Sequence, residues 1–269
     1  MSDGSTLPFD AKLGRLRRAR TGAGKDEAWW LHRRAAEEVL DRLELVARPF
    51  ARALELSADA WLGDRLGERG LDVVRIEEER LPELEPASFD LAVSVGLLDT
   101  INDLPGALAL IRRALKPDGL FLAAFAGAGS LPRLRQAMRA GEAAEGRDPS
   151  PRIHPQIDVR AAGDLLARAG FALPVADREV VEVRYGALAG LLSDLRLTGA
   201  TNILAQRSRV PFTRLGLAAA MAAFGESEVE RFELVFMSGW APAPSQPAPA
   251  RRSSATASLA EALRPKGSR

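Results

Sequence analysis

The feature that most constrains this chain is a pair of nearly continuous apolar runs, Phe89–Gly96 (FDLAVSVG) and Gly119–Ala126 (GLFLAAFA). Runs this apolar suit parallel strands covered on both faces, because a strand wetted on one face alternates. Between them, Asp103–Leu115 (DLPGALALIRRAL) predicts an amphipathic helix and Lys116-Pro117-Asp118-Gly119 a turn. Strand, helix, turn and strand make a right-handed βαβ unit. The fold class is therefore α/β, a Rossmann-like open, mostly parallel sheet with helices on both faces.

The rest of the chain fits around that unit. Residues 9–48 read as helical, with an apolar stripe through Trp29, Trp30, Ala35, Ala36, Val39, Leu40, Leu43 and Leu45 that Pro49 ends. Phe50–Leu56 and Leu71–Ile76 read as strands, Ala161–Ala169 as a helix closed by Gly170, Glu179–Tyr185 as a strand, 187–197 and 212–224 as helices, and Phe232–Gly239 as a final, antiparallel strand. From Ala241 the composition shifts to Pro, Ala, Ser and Arg, which predicts a disordered tail. The expected organisation is an N-terminal helical segment (1–48), one domain (49–240) with lid elements near 130–160 and 187–225, and the tail (241–269).

Composition removes several function classes. Lys and Arg number 37 against 36 Asp and Glu, a net charge of +1, which excludes a strongly basic nucleic-acid binder. Cysteine is absent, so disulfides, zinc–thiolate sites, iron–sulfur clusters and thiol nucleophiles are excluded. With two histidines, no metal centre is expected. The first 30 residues hold no apolar signal core, and the longest apolar stretches fall short of the roughly 20 residues a membrane span needs. The expectation is a cytoplasmic protein with no transmembrane segment, for which peripheral membrane contact stays open.

The order of these segments resembles a class I S-adenosylmethionine (SAM)-dependent methyltransferase. The match is closest to the methyltransferase-fold assembly factors of respiratory complex I and their bacterial relatives. It is carried by Phe9-Asp10 before a basic helix, Asn102-Asp103-Leu104-Pro105, Lys116–Gly119, Gly129-Ser130-Leu131, Leu165–Phe171, Asp194-Leu195, Gly199–Asn202 and Ser253–Leu263. Malonyl-carrier-protein methyltransferases share Gly129–Leu134 and Gly199–Thr201. The resemblance implies a SAM site at the carboxyl ends of the strands under a helical lid. In the assembly-factor branch it implies a protein partner, an arginine-bearing complex I subunit, with chemistry closer to hydroxylation than to methylation.

The sequence departs from that pattern where the cofactor would lie. Glu55 keeps the acid at the end of strand one, but Ser57, Asp59 and Trp61 stand at the three glycine positions, where backbone must approach a ligand. Asp59 is expected to cap a helix over 60–69. Only 35 residues separate Glu55 from Asp90, whereas two βα units need roughly 60, so one unit is shortened. Leu71–Ile76 is then strand two or strand three. The spacing from Arg80-Leu81-Pro82 into Ser88-Phe89-Asp90 favours strand three, and Glu77 and Glu78 stand as either ligand contacts or a solvated charge run.

After the next strand come Ser94, Gly96 and Leu97, candidates for the cofactor slot, and then Asp99 and Thr100. Asp99 is a candidate general base whose alternative is a helix cap near Asn102. His154, on the lid segment, and Tyr185, at a strand end, complete the candidate catalytic set, with structural or solvent-facing roles as their alternatives. Two functions follow. One is a weak or non-catalytic relative acting in assembly or modification of complex I; the other is an active methyltransferase on a protein side chain or carrier-bound carboxyl.

Overall fold

The computed structural model describes residues 7–21 and 26–246. Six strands form one sheet in the order β2-β1-β3-β4-β6-β5. They are β1 (Arg52–Glu55), β2 (Asp72–Arg75), β3 (Phe89–Val95), β4 (Leu115–Ala126), β5 (Ala172–Tyr185) and β6 (Glu228–Trp240). β1 to β4 pair in parallel, and β6 runs antiparallel between β4 and β5. The α/β expectation and the final antiparallel strand are both met.

Helices cover both faces. On one, α2 (Trp30–Glu44) lays Ala35, Ala36, Val39, Leu40 and Leu43 over Leu91, Val93, Leu120 and Leu122, with α3 (Trp61–Glu68) beside it. On the other, α4 (Leu104–Ala114) and α6 (Val159–Arg168) enclose Leu54, Ala92, Phe121 and Phe125. Each fully buried Leu or Phe side chain contributes about 2 kcal/mol, which is why the two apolar strands organise the fold.

Several expected details are corrected. The segment 9–48 is divided into α1 (Ala11–Ala19), a 3₁₀ turn (Asp26–Trp29) and α2. Leu45 lies past α2 and is 86% exposed rather than on its buried stripe. Asp118, at φ 63°, makes Lys116–Gly119 a bulge inside β4 rather than a turn before it, so Phe89 pairs with Leu115 but Leu91 with Leu120. β5 and β6 both extend beyond the predicted segments. Leu71–Ile76 pairs directly with β1, Arg52 opposite Asp72, which is the place of strand two and not of strand three. Of the predicted tail, 247–269 lies outside the described residues.

A third apolar cluster builds the lid from α5 (Pro132–Ala144), α7 (Leu188–Leu197) and α8 (Arg214–Phe224) around Leu134, Leu191, Phe224 and Phe232. Buried Glu230 on β6 accepts from the Leu134 N–H (2.8 Å) and so ties the start of α5 to the sheet. α1 is held to the same layer. Phe9 bridges Leu204, and Arg17 donates to the Asn202 carbonyl (2.6 Å). Among the described residues no helix is long and apolar enough to cross a membrane.

Candidate functional site

β1 and β3 are neighbours whose following connections depart in opposite directions, to β2 and to β4. Open α/β sheets place their ligand crevice at the carboxyl ends of such a pair. The segment leaving β1 is held by its own side chains. Ser57 Oγ accepts from the Val95 N–H (3.1 Å). Asp59 does not cap the next helix: Ala60 stands at that position, and Asp59 forms an ion pair with Arg33 of α2. Trp61 lies between Arg33 and Arg65, whose guanidinium carbons are 5.2 and 5.1 Å from its ring.

Glu55 is fully buried. Its Oε1 accepts from the Gly63 N–H in α3 (2.9 Å) and its Oε2 from Arg75 Nε (2.7 Å). Burial pushes its carboxyl up, against the pull of Arg75 and Gly63. Burial alone would lower Arg75, but the hydrogen bond and charge of Glu55 outweigh it and hold that guanidinium up. Glu77 is exposed and 3.9 Å from Arg18, while Glu78 is half-buried and raised by that burial. Ser94 is buried and donates to the Leu56 carbonyl, and Leu97 is buried in the core.

Gly96, at φ 68°, faces His32 of α2. A Cβ there would lie 2.4 Å from the imidazole and 3.4 Å from the Ala58 Cβ, so His32 fills the space between the two loops. Burial pushes His32 down to about 4, with Asp59 pulling up and Arg33 pushing further down. The ring is neutral at pH 7, and its Nδ1 is buried without a hydrogen-bond partner among the described residues.

A cavity of about 330 Å³ opens between the sheet and the lid, with His32, Ala58 and Val95 on its wall. It brings together Gly96, Asp99, His154 and Tyr185; Glu55, Ser57, Asp59, Glu77, Glu78, Ser94 and Leu97 are not on its wall. Asp99 sits in a 3₁₀ turn (Leu98–Thr100), and the cap of α4 is Asp103, which accepts from the Gly106 N–H (3.0 Å). Burial pushes the Asp99 carboxyl up to about 6, against a backbone hydrogen bond and Arg18. His154 Nε2 accepts from the Ile203 N–H (3.0 Å), which leaves the ring proton on Nδ1. Burial, with Arg17 nearby, pushes it down to about 4.

Tyr185 is buried, not solvent-facing, and donates to Asp194 Oδ2 (3.0 Å). Burial and the Asp194 charge raise it, so it is a neutral donor. His32, Arg18 and Arg152 also line this cavity and were not among the sequence candidates. The available signal was scarcity, since the chain's two histidines both reach it. No cluster of metal-ligating side chains occurs among the described residues.

Comparison with known proteins agrees with this architecture. The methyltransferase-domain model matches residues 36–123. The chain is 33% identical to the mitochondrial arginine-hydroxylase NDUFAF5 of Danio rerio, over 84% of this chain and 70% of that protein. It therefore belongs to the SAM-dependent methyltransferase family, with the class I fold. Within that family, human NDUFAF5 is 37% identical over 70% of this chain, which spans 56% of the human protein. The malonyl-[acyl-carrier protein] O-methyltransferase of Gallionella capsiferriformans is 28% identical over 88% of this chain and 92% of that protein. The crystal structure of a candidate methyltransferase from Bacillus halodurans shares the fold, with a TM-score of 0.51 at 11% identity, covering 76% of this chain and 99% of that one.

Proposed function

We propose that this chain is a weak or non-catalytic member of its family that acts in assembly or modification of respiratory complex I through a protein partner, without SAM as a held cofactor. The supporting observation is that two side chains of α2 reach into the crevice. His32 lies against Gly96, and Arg33 locks Asp59 in the loop where the family has glycines. The Gly63 N–H, which near a helix start could meet a ligand, is turned inward to Glu55. Ile76, after β2, is buried, and the acids that follow lie off the cavity wall, so no carboxylate there is set to take ribose hydroxyls. These residues do not fit the nucleotide. The partner assignment rests on the likeness to the NDUFAF5 arginine hydroxylases.

Calorimetry tests it. SAM and its demethylated product are expected to give no saturable heat at millimolar concentration, while immobilised protein retains a purified complex I peripheral-arm subunit. Saturable SAM binding or methyl turnover overturns the reading. The second reading, a methyltransferase acting on a carrier-bound carboxyl, is favoured by the Gallionella relative and by Leu131, Leu134 and Gly199–Thr201 on the cavity wall. Methyl transfer to a malonyl-carrier substrate would establish it.

A further inference from the structure

β5 stands at one end of the sheet, and its 14 residues pair only with β6. Among the described residues no backbone hydrogen bond reaches its other edge. A long row of unpaired N–H and C=O groups is a template for another strand. The backbone features that block such edges are confined to its start, where Pro174 lies and the register shifts between Ala172 and Val175. From Val175 to Tyr185 the register is regular, and Val180, in the middle, is 42% exposed. Side chains alternate, so Arg178, Val180, Glu182 and Arg184 share one face, and Asp177, Glu179, Val181 and Val183 the other. On the second face α2 pairs Arg42 with Asp177 and Arg34 with Glu179. On the first, Arg178 reaches buried Glu233 (2.7 Å) with half of its own side chain exposed. Glu182 lies opposite Arg231 of β6 and forms no ion pair among the described residues.

Charges on an edge strand usually repel a second strand. Here their order is complementary to itself. When two copies lie antiparallel about a two-fold axis through Val180, Val180 meets its counterpart, Arg178 faces Glu182 twice, and no like charges are opposed. An axis through Glu179 or Glu182 sets that carboxylate against itself, and one through Val181 sets Arg178 against Arg184. An axis through Val183 also avoids like charges but leaves only residues 181–185 to pair. Register in a strand pair follows such contacts, because a like-charge pair costs what an opposite pair contributes. We propose that β5 is a self-association edge, joined antiparallel to β5 of a second copy of this chain with the two-fold axis at Val180, so that two sheets become one. None of residues 176–184 lies on the cavity wall, so this surface is independent of what the crevice takes.

The test is sedimentation of the full chain over a concentration series, with two kinds of variant. Expected is a monomer–dimer equilibrium that Glu182→Arg weakens at least about ten-fold, since two Arg–Glu pairs become two Arg–Arg pairs. The chain has no cysteine, so a single introduced thiol reads the register. Residues directly opposed in antiparallel strands have Cβ atoms about 4.5–5.5 Å apart, close to disulfide reach. Val180→Cys is therefore expected to form an intermolecular disulfide on mild oxidation, and Glu182→Cys, which would face Arg178 of the second copy, to stay reduced. Val180 is part-exposed and Glu182 exposed, so these variants are expected to fold, which their urea midpoints check. A chain that stays monomeric to about 0.3 mM, a dimer of unchanged affinity in Glu182→Arg, or crosslinking through Glu182→Cys in place of Val180→Cys overturns the proposal.

Discussion

Glu55→Ala is expected to destabilise the protein by about 2–3 kcal/mol in urea unfolding. In the family pattern this acid would face a ligand, and its removal would cost affinity rather than stability. Here it is fully buried and joins α3 to β2 through the Gly63 N–H and Arg75. Removal leaves a buried N–H and a cation unpaired. The figure stays below the 3–5 kcal/mol typical of a wholly buried pair because the Arg75 side chain is 42% exposed and can rehydrate.

The same contact reverses an ordinary rule. Alanine in place of a helical glycine usually stabilises, by about 1 kcal/mol in a helix interior and less in the first turn, where Gly63 stands. A Cβ on Gly63 would lie 2.0 Å from Glu55 Oε2, so Gly63→Ala is expected to destabilise, and to become neutral or favourable in the Glu55→Ala background. Glu55→Ala within about 0.5 kcal/mol of the parent would remove the structural role assigned to this carboxylate.

This pair also shows what could be read from residue order. The runs 89–96 and 119–126 specified the parallel core because their meaning is local, a strand without alternation. The place of β2 was not local. A four-residue strand carries no mark of which neighbour it joins, and the spacing that pointed to strand three arises from the short turn over Glu78–Glu83. The cap assigned to Asp59 failed for a similar reason, since its partner Arg33 lies 26 residues earlier on a helix with no expected role in the crevice. Asp99, His154 and Tyr185 could be singled out as unusual residues near strand ends or on the lid. The filling of the Gly96 crevice by His32 needed the fold.

Between pH 7 and pH 5 the protein is expected to lose about 3 kcal/mol through three groups on the cavity wall. Each histidine is pushed down from 6.5 to about 4, so the unfolded chain takes up its proton first as pH falls. Stability is therefore lost through the window from 6.5 to about 4, about 2 kcal/mol per histidine by pH 5. Asp99 acts oppositely. Raised from 3.8 to about 6, it holds a proton in the folded state where the unfolded chain has none, which returns about 1 kcal/mol over the same interval. The variants separate the two signs. His32→Asn should lose only about 1 kcal/mol between pH 7 and pH 5, and Asp99→Asn about 4, measured from urea midpoints at each pH. The same pH slope in His32→Asn as in the parent would mean that the imidazole against Gly96 titrates as freely as in the unfolded chain, and the crevice would then be open to water.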